Sequence, residues 1–343
     1  MSSLPESYRA VILPGPNTPF HLQTVQLKRP SPNQVLVKVQ ACGVCFSDIG
    51  ISAGHLGTEI FPRTPGHEIV GQVVQVGSAV PPQLFQPGQR VGGAWHGGHD
   101  GRCRPCRRGQ FQMCEEGAIN GCTRDGGYAE YVLLEQEAVV RLPSEPADPA
   151  EVAPLLCAGV TVFNGIRKMH VEQGALVAVQ GLGGLGHLAV QYAHHMGYEV
   201  AVLSSGDDKA AFATQLGARH YINTKTKDGP AELAALGGAG LIVQTAPNAD
   251  LTSALIGGLA AGGKLLCLAP VEHVKINTGA MVMKGLSVHG WPSGHALDCE
   301  EAVRFAGTHG IKCMIEKYPL ADVQQAIDSL NAGKPRFRNV LTM

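Results

Sequence analysis

The chain has 343 residues, enough for two domains with room for a small third. Its 27 Lys and Arg against 28 Asp and Glu leave a net charge of −1, which excludes the broad basic surface of a nucleic-acid binder. Hydrophobic residues make up 44% and charged residues only 16%, so the chain buries a sizeable core and is not a disordered segment.

Residues 1–15 carry no charged stretch followed by an apolar run, so no secretory leader is expected there. No run of 18 apolar residues exists, and no membrane-spanning helix is expected. The ten cysteines, at 42, 45, 103, 106, 114, 122, 157, 267, 299 and 313, then read as thiols or metal ligands in a reducing compartment. The expected location is the cytoplasm.

The first half is β-rich. Segments 35–39 and Ile69–Val76 are β-branched runs bounded by turn residues, among them Pro65-Gly66 and Pro87-Gly88. Within it, Cys103-x2-Cys106-x7-Cys114 has the spacing of thiolates on a tetrahedral zinc. Asp100 repeats the two-residue gap before Cys103 and is the favoured fourth ligand, with His99 its competitor. Four protein ligands close such a site, so its role is structural. The neighbouring Arg102, Arg104, Arg107 and Arg108 read as a solvated or interface patch.

Near residue 150 the texture changes. Leu176–Gln180 is a buried strand running into Gly181-Leu182-Gly183-Gly184-Leu185-Gly186. Leu185, Leu188, Ala189, Tyr192, Ala193 and Met196 then recur at helical spacing until Gly197. Strand, G-x-G-x-x-G turn and helix form the dinucleotide-binding fingerprint, in which phosphate meets the helix N-terminus. Strand 200–203 ends in Ser204-Ser205, where an NAD site usually carries an acid. A hydroxyl there can donate to a further phosphate, and Lys209 adds a positive charge, so NADP is favoured over NAD. Asp207, as a helix cap or a ribose partner, is the competing feature.

Helix 208–216, strand 241–245, helix 249–260 and strand 264–269 continue the alternation. That alternation implies a doubly wound parallel sheet. Helices 296–306 and 322–331 and strand Arg338–Thr342 close the chain. The expected fold is α/β: a β-rich domain over 1–152 carrying the zinc loop at 97–114, a Rossmann cofactor domain over 153–290, and a segment, 291–343, returning to the first domain.

Cys45, His67 and Cys157 are scattered, and composition alone does not group them. Alone, Cys157 reads as a small core residue and His67 as a polar loop residue. The grouping comes from similarity. Gly66-His67-Glu68, the cysteine loop, 125–131 (DGGYAEY), 157–162 (CAGVTV), the glycine loop and 284–290 (KGLSVHG) occur in an order that resembles the zinc-dependent alcohol dehydrogenases of the medium-chain dehydrogenase/reductase superfamily. The resemblance spans nearly the whole chain and is closest to the shorter yeast and fungal-like branch.

It implies a GroES-like catalytic domain, two zincs per chain and a homo-oligomer, tetramer or dimer. It implies that Cys45, His67 and Cys157 bind the catalytic zinc and that Glu68 is a carboxylate able to exchange into the fourth position. By the same resemblance Ser47 handles the substrate proton, Asp48 orients His67, Thr161 packs near the nicotinamide and Arg338 meets the pyrophosphate. Phe46, Trp95 and Trp291 are the expected pocket walls. The implied reaction interconverts a primary alcohol, with an apolar or aromatic one expected, and its aldehyde. A zinc-free enoyl or quinone reductase and a non-catalytic nucleotide sensor are the alternatives. Three departures stand out: Asp100 replaces a cysteine, Gly50 stands where a relay histidine is expected with His55 off register, and Phe46 replaces a basic or polar residue.

Overall fold

The computed structural model describes residues 4–143 and 147–343. It divides into two compact units. The first comprises Met1–Cys157, Gly294–Arg304 and Lys312–Met343; the second comprises Ala158–Ser293 and Phe305–Ile311. The break falls at 157/158, against the expected 152/153, and residues 305–311 of the C-terminal segment belong to the second unit.

The first unit is built on a sheet ordered Ile315–Pro319, Arg338–Thr342, Gln34–Val44, Ile69–Val76, Arg90–Gly93 and Val139–Arg141, with Tyr131–Glu135 also pairing with Gln34–Val44. The long strand Gln34–Val44 is buried along most of its length. Its register against Ile69–Val76 shifts twice, between Leu36 and Val37 and between Val39 and Ala41, which bends it and lets it pair with several neighbours. Val35, Val37, Val39, Ile69, Val73, Tyr128 and Leu134 form its core. The last strand, Arg338–Thr342, pairs antiparallel with residues 41–44 and carries the C-terminal segment back to the first unit.

The second unit holds a six-stranded parallel sheet, ordered His220–Asn223, Glu199–Ser204, Leu176–Gln180, Ala239–Gln244, Leu259–Cys267 and Ser287–Gly290. The chain winds outward from Leu176–Gln180 and then crosses back to its other side, so the sheet has a topological switch point. The glycine loop leaves the strand at that point. Gly181 adopts φ +93°, and a Cβ there would lie 2.8 Å from Ala246 Cβ. A Cβ on Gly186 would lie 2.0 Å from the Gly181 carbonyl oxygen, whereas one on Gly183 meets nothing within 4 Å. The outer two glycines serve packing, and the middle one leaves an open approach.

Several elements differ from expectation. Helix Ala249–Leu255 stops early, passes through a tight 3-10 turn at Ile256–Gly258, and gives way to strand Leu259–Cys267. Gly257 and Gly258 break the helix, because the approach of Leu233 leaves no room for a side chain at 258. Helix Ala210–Gln215 starts late because residues 204–207 are held in a turn. Strand His220–Asn223 and helix Gly229–Ala235 are additional elements, the latter capped by Asp228 accepting from the Ala231 N–H. Among the described residues no single helix is long and apolar enough to cross a membrane.

Candidate metal and cofactor sites

Cys45 follows the long strand directly and caps helix Phe46–Ser52. Its N–H donates to Asp48 Oδ2 at 2.9 Å, so the cap turns the Asp48 side chain back toward the strand end. Tyr128 Oη donates to the same oxygen at 2.9 Å, and His67 Nδ1 lies 2.9 Å from Asp48 Oδ1. Asp48, His67 and Tyr128 are all fully enclosed. With Nδ1 donating to a carboxylate, the tautomer is fixed and Nε2 presents its lone pair. Nε2 lies 3.3 Å from Cys157 Sγ, at the end of the 3-10 turn Ala153–Leu156. One ligand atom each from Cys45, His67, Glu68 and Cys157 lie within 4.8 Å of one another.

Burial and mutual charge act strongly on the donor groups of this cluster. Burial alone would push the His67 imidazole down, but the charge and hydrogen bond of Asp48 outweigh it and hold it well up. A hydrogen bond from Cys157, aided by Arg338, holds the Cys45 thiol well below its usual value. Burial pushes Glu68 up to about 7 against the pull of Arg338. Glu68 Oε1 pairs with the Arg338 guanidinium, while Oε2 is buried without a partner.

The second cluster joins Asp100, Cys103, Cys106 and Cys114, again with ligand atoms within 4.8 Å of one another. Cys103 Sγ and Cys114 Sγ are 3.8 Å apart. Bonds of about 2.0–2.3 Å give a tetrahedron with edges of roughly 3.3–3.8 Å, and the His67–Cys157 separation in the first cluster and the Cys103–Cys114 separation in the second both fall in that range. Asp100 Oδ1 accepts from the N–H groups of Cys103, at 3.0 Å, and Arg102, at 2.8 Å, which holds the carboxyl well below its usual range. His99 turns away: its ring stacks on Phe111 at 4.1 Å and its Nδ1 lies 3.1 Å from His96 Nε2.

Ser47 Oγ lies 3.7 Å from Cys45 Sγ, beside the first cluster. Trp95 stands edge-on to His67 with ring centroids 4.9 Å apart. Phe46 is 61% exposed at the helix start. Arg338, expected at the pyrophosphate, is enclosed in the first unit, where its Nη2 pairs with Glu68 Oε1 and its charge acts on Cys45 and Cys157. Thr161 and Trp291 belong to the second unit. Thr161 Oγ1 donates to Ser293 Oγ at 3.0 Å, and Lys168 Nζ sits 5.9 Å from the Trp291 ring centroid.

In the glycine loop, Gly183 is exposed, Gly184 and Leu185 are half-buried, and Leu185 caps helix Gly186–His195. Ser204 is buried at its strand end while Ser205 is exposed, so Ser205 offers the freer hydroxyl. Lys209 is half-buried at the start of the following helix. Asn223 clamps this turn: its Oδ1 accepts from Gly206 N–H at 3.0 Å and its Nδ2 donates to Asp207 Oδ1 at 2.9 Å. Asn223 and Tyr128 carry no role that sequence reasoning assigned. Tyr128 lies in a quoted motif, DGGYAEY, but nothing in its spacing points to Asp48.

Comparison with known proteins agrees with this geometry. The family model "Alcohol dehydrogenase GroES-like domain" matches residues 31–144, and "Zinc-binding dehydrogenase" matches residues 184–308. Alcohol dehydrogenase notN of Aspergillus sp. (strain MF297-2) is 49% identical over 341 residues, covering 99% of each chain. The chain belongs to the zinc-dependent alcohol dehydrogenases of the medium-chain dehydrogenase/reductase superfamily. Alcohol dehydrogenase patD of Penicillium expansum is 48% identical, covering 100% of this chain and 99% of that protein. Among solved structures, cinnamyl alcohol dehydrogenase SbCAD4 of Sorghum bicolor superposes with a TM-score of 0.88 at 28% identity, covering 98% of this chain and 97% of that one. CAD of Helicobacter pylori complexed with NADP(H) gives 0.86 at 27%, covering 98% of each. This family member is therefore a zinc-dependent, nicotinamide-linked alcohol oxidoreductase acting on small-molecule alcohols or aldehydes.

Proposed function

We propose that the chain interconverts an apolar or aromatic primary alcohol and its aldehyde with NADP(H), using one zinc at Cys45, His67 and Cys157 and a second at Asp100, Cys103, Cys106 and Cys114. The observation that carries the reading is the enclosed His67, fixed by Asp48 so that Nε2 faces Cys157 Sγ at 3.3 Å. Three protein donors leave a fourth position for a reactant, the pattern of a catalytic zinc; four close the other site. When bound, that zinc supplies a Lewis-acid charge to the substrate oxygen, and the nicotinamide gives or takes the hydride.

The chain's own residues do the rest. Asp48 holds His67 in one tautomer, and Tyr128 and the Cys45 N–H hold Asp48. Ser47 takes the alcohol proton at Oγ and passes it outward. Trp95 walls the side of the cluster next to His67 and keeps water from it. Thr161, tied to Ser293, shapes the nicotinamide side of the second unit.

The NADP(H) preference is supported by the absence of a carboxylate at 204 and 205 and by the engagement of Asp207 with Asn223. The NADP(H) complex of the similar Helicobacter pylori protein is in keeping with it. We further read the enzyme as a homo-oligomer of the cytoplasm working mainly toward aldehyde reduction.

Initial rates with benzaldehyde and equal NADPH or NADH test the cofactor reading. A clear preference for NADPH is expected. A preference for NADH means that Asp207 lets go of Asn223 and takes the ribose hydroxyls.

A further inference from the structure

We propose that Gly43 is a positioning residue of the metal cluster, and that its missing side chain is the space in which the Glu68 carboxylate stands back from the fourth ligand position. Gly43 lies in strand Gln34–Val44, two residues before Cys45. A Cβ built on it would lie 1.8 Å from Glu68 Oε2, 2.8 Å from Glu68 Cδ and 3.0 Å from Glu68 Cβ, and these are its three nearest heavy atoms. The Glu68 side chain is what such a Cβ would strike first.

The backbone cannot yield easily, because Gly43 pairs with Val340 on one side and its N–H donates to the Glu68 carbonyl at 3.0 Å on the other. Nor is the carboxylate held there by satisfied hydrogen bonds, since Oε2 is buried with no partner while Oε1 takes Arg338. A buried unpaired oxygen is costly, so shape keeps it in place. A methyl at 43 must move the carboxylate. Glu68 already has an oxygen within 4.8 Å of the donor atoms of Cys45, His67 and Cys157, and the displaced group becomes a fourth ligand there. This rests on the reading that the cluster holds zinc.

The test uses the full-length enzyme with Co(II) exchanged for zinc, its visible spectrum read with and without imidazole, and the rate of zinc transfer from the zinc form to a chelator. In the wild type, imidazole enters the open position and shifts the spectrum. Gly43→Ala is expected to change the resting spectrum, abolish the imidazole shift and slow zinc transfer roughly tenfold or more. Adding Glu68→Asp, whose shorter side chain clears the methyl, is expected to restore the wild-type response. A Gly43→Ala protein with the wild-type spectrum and imidazole shift overturns the proposal, as does a double variant that behaves like Gly43→Ala alone. If Gly43→Ala does not fold, recovery of folding by Glu68→Asp supports the clash, and failure of both overturns it. A wild type showing no thiolate–cobalt absorption at this cluster removes the zinc reading itself, and the role of Gly43 with it.

Discussion

Asp48 concentrates more of the site than any other residue. It is fully buried and accepts from the Cys45 N–H, His67 Nδ1 and Tyr128 Oη. Removing it strands three donors and frees the His67 ring. Asp48→Ala should weaken zinc binding at this cluster by about 10–100-fold, as loss of a carboxylate behind a ligating histidine does. Tyr128→Phe deletes one hydrogen bond to a charged group and should cost about 1.5–3 kcal/mol of folding stability, with the cluster's metal retained. Zinc titration against a competing chelator checks the first, and chemical denaturation the second. A zinc affinity unchanged in Asp48→Ala would show that His67 needs no orienting partner.

The placing of the site residues was partly legible in the sequence. Asp48 and Ser47 sit in register with Cys45, and the spacing of 100, 103, 106 and 114 declared its own cluster. Cys157 was not legible by spacing, because 90 residues separate it from His67 and only the fold joins them. The pairing of Arg338 with Glu68 was illegible for the same reason: its strand pairs with residues 41–44 and delivers the guanidinium to Glu68, a pairing no local pattern records.

At the scale of elements, the glycine loop separates two effects that sequence alone merges. A Cβ at 183 meets nothing, whereas one at 186 collides with the Gly181 carbonyl. Gly183→Ala should therefore leave the melting temperature unchanged and raise the KM for NADPH. Gly186→Ala should destabilise the second unit by about 1–3 kcal/mol through overpacking. Thermal scans and cofactor titration of the two variants check the split, and equal melting losses would contradict it. The loop was readable because strand, turn and helix are contiguous. The early end of helix Ala249–Leu255 was not, because alanines favour a helix locally while the packing of Leu233 against Gly258 decides the break.

For the whole molecule, acid stability follows from surface carboxylates on several elements. The Lys317 ammonium holds Asp148 below its usual range, and His220 does the same for Glu199. Burial pushes Glu130 up, but hydrogen bonds from Arg9 outweigh it and bring it down. Each folded-state value is below the unfolded one. The stabilisation is thus full above about pH 5 and is lost as pH falls through the lowered values, toward about pH 2. The pairs are partly exposed, so each contributes well under about 1 kcal/mol. The urea midpoint should fall between pH 6 and pH 3, and less steeply in Asp148→Asn, whose amide oxygen can still accept from the Ala150 N–H at the start of helix Pro149–Val152, as the Asp148 carboxylate does, without the charge. A midpoint flat across that range would contradict the assignment. The two-unit α/β plan was legible because hydrophobic periodicity changes near residue 150, but the exact junction, 157/158, was set by contacts made long after it in sequence.

Catalysis at the cluster of Cys45, His67 and Cys157 is tested most directly by zinc content read beside turnover in His67→Asn. The wild type should carry two zincs per chain. His67→Asn should keep only the zinc of the Asp100 loop and lose aldehyde reduction by roughly a thousandfold or more, the loss of about 4 kcal/mol of transition-state stabilisation. A His67→Asn enzyme that turns over at the wild-type rate would contradict it.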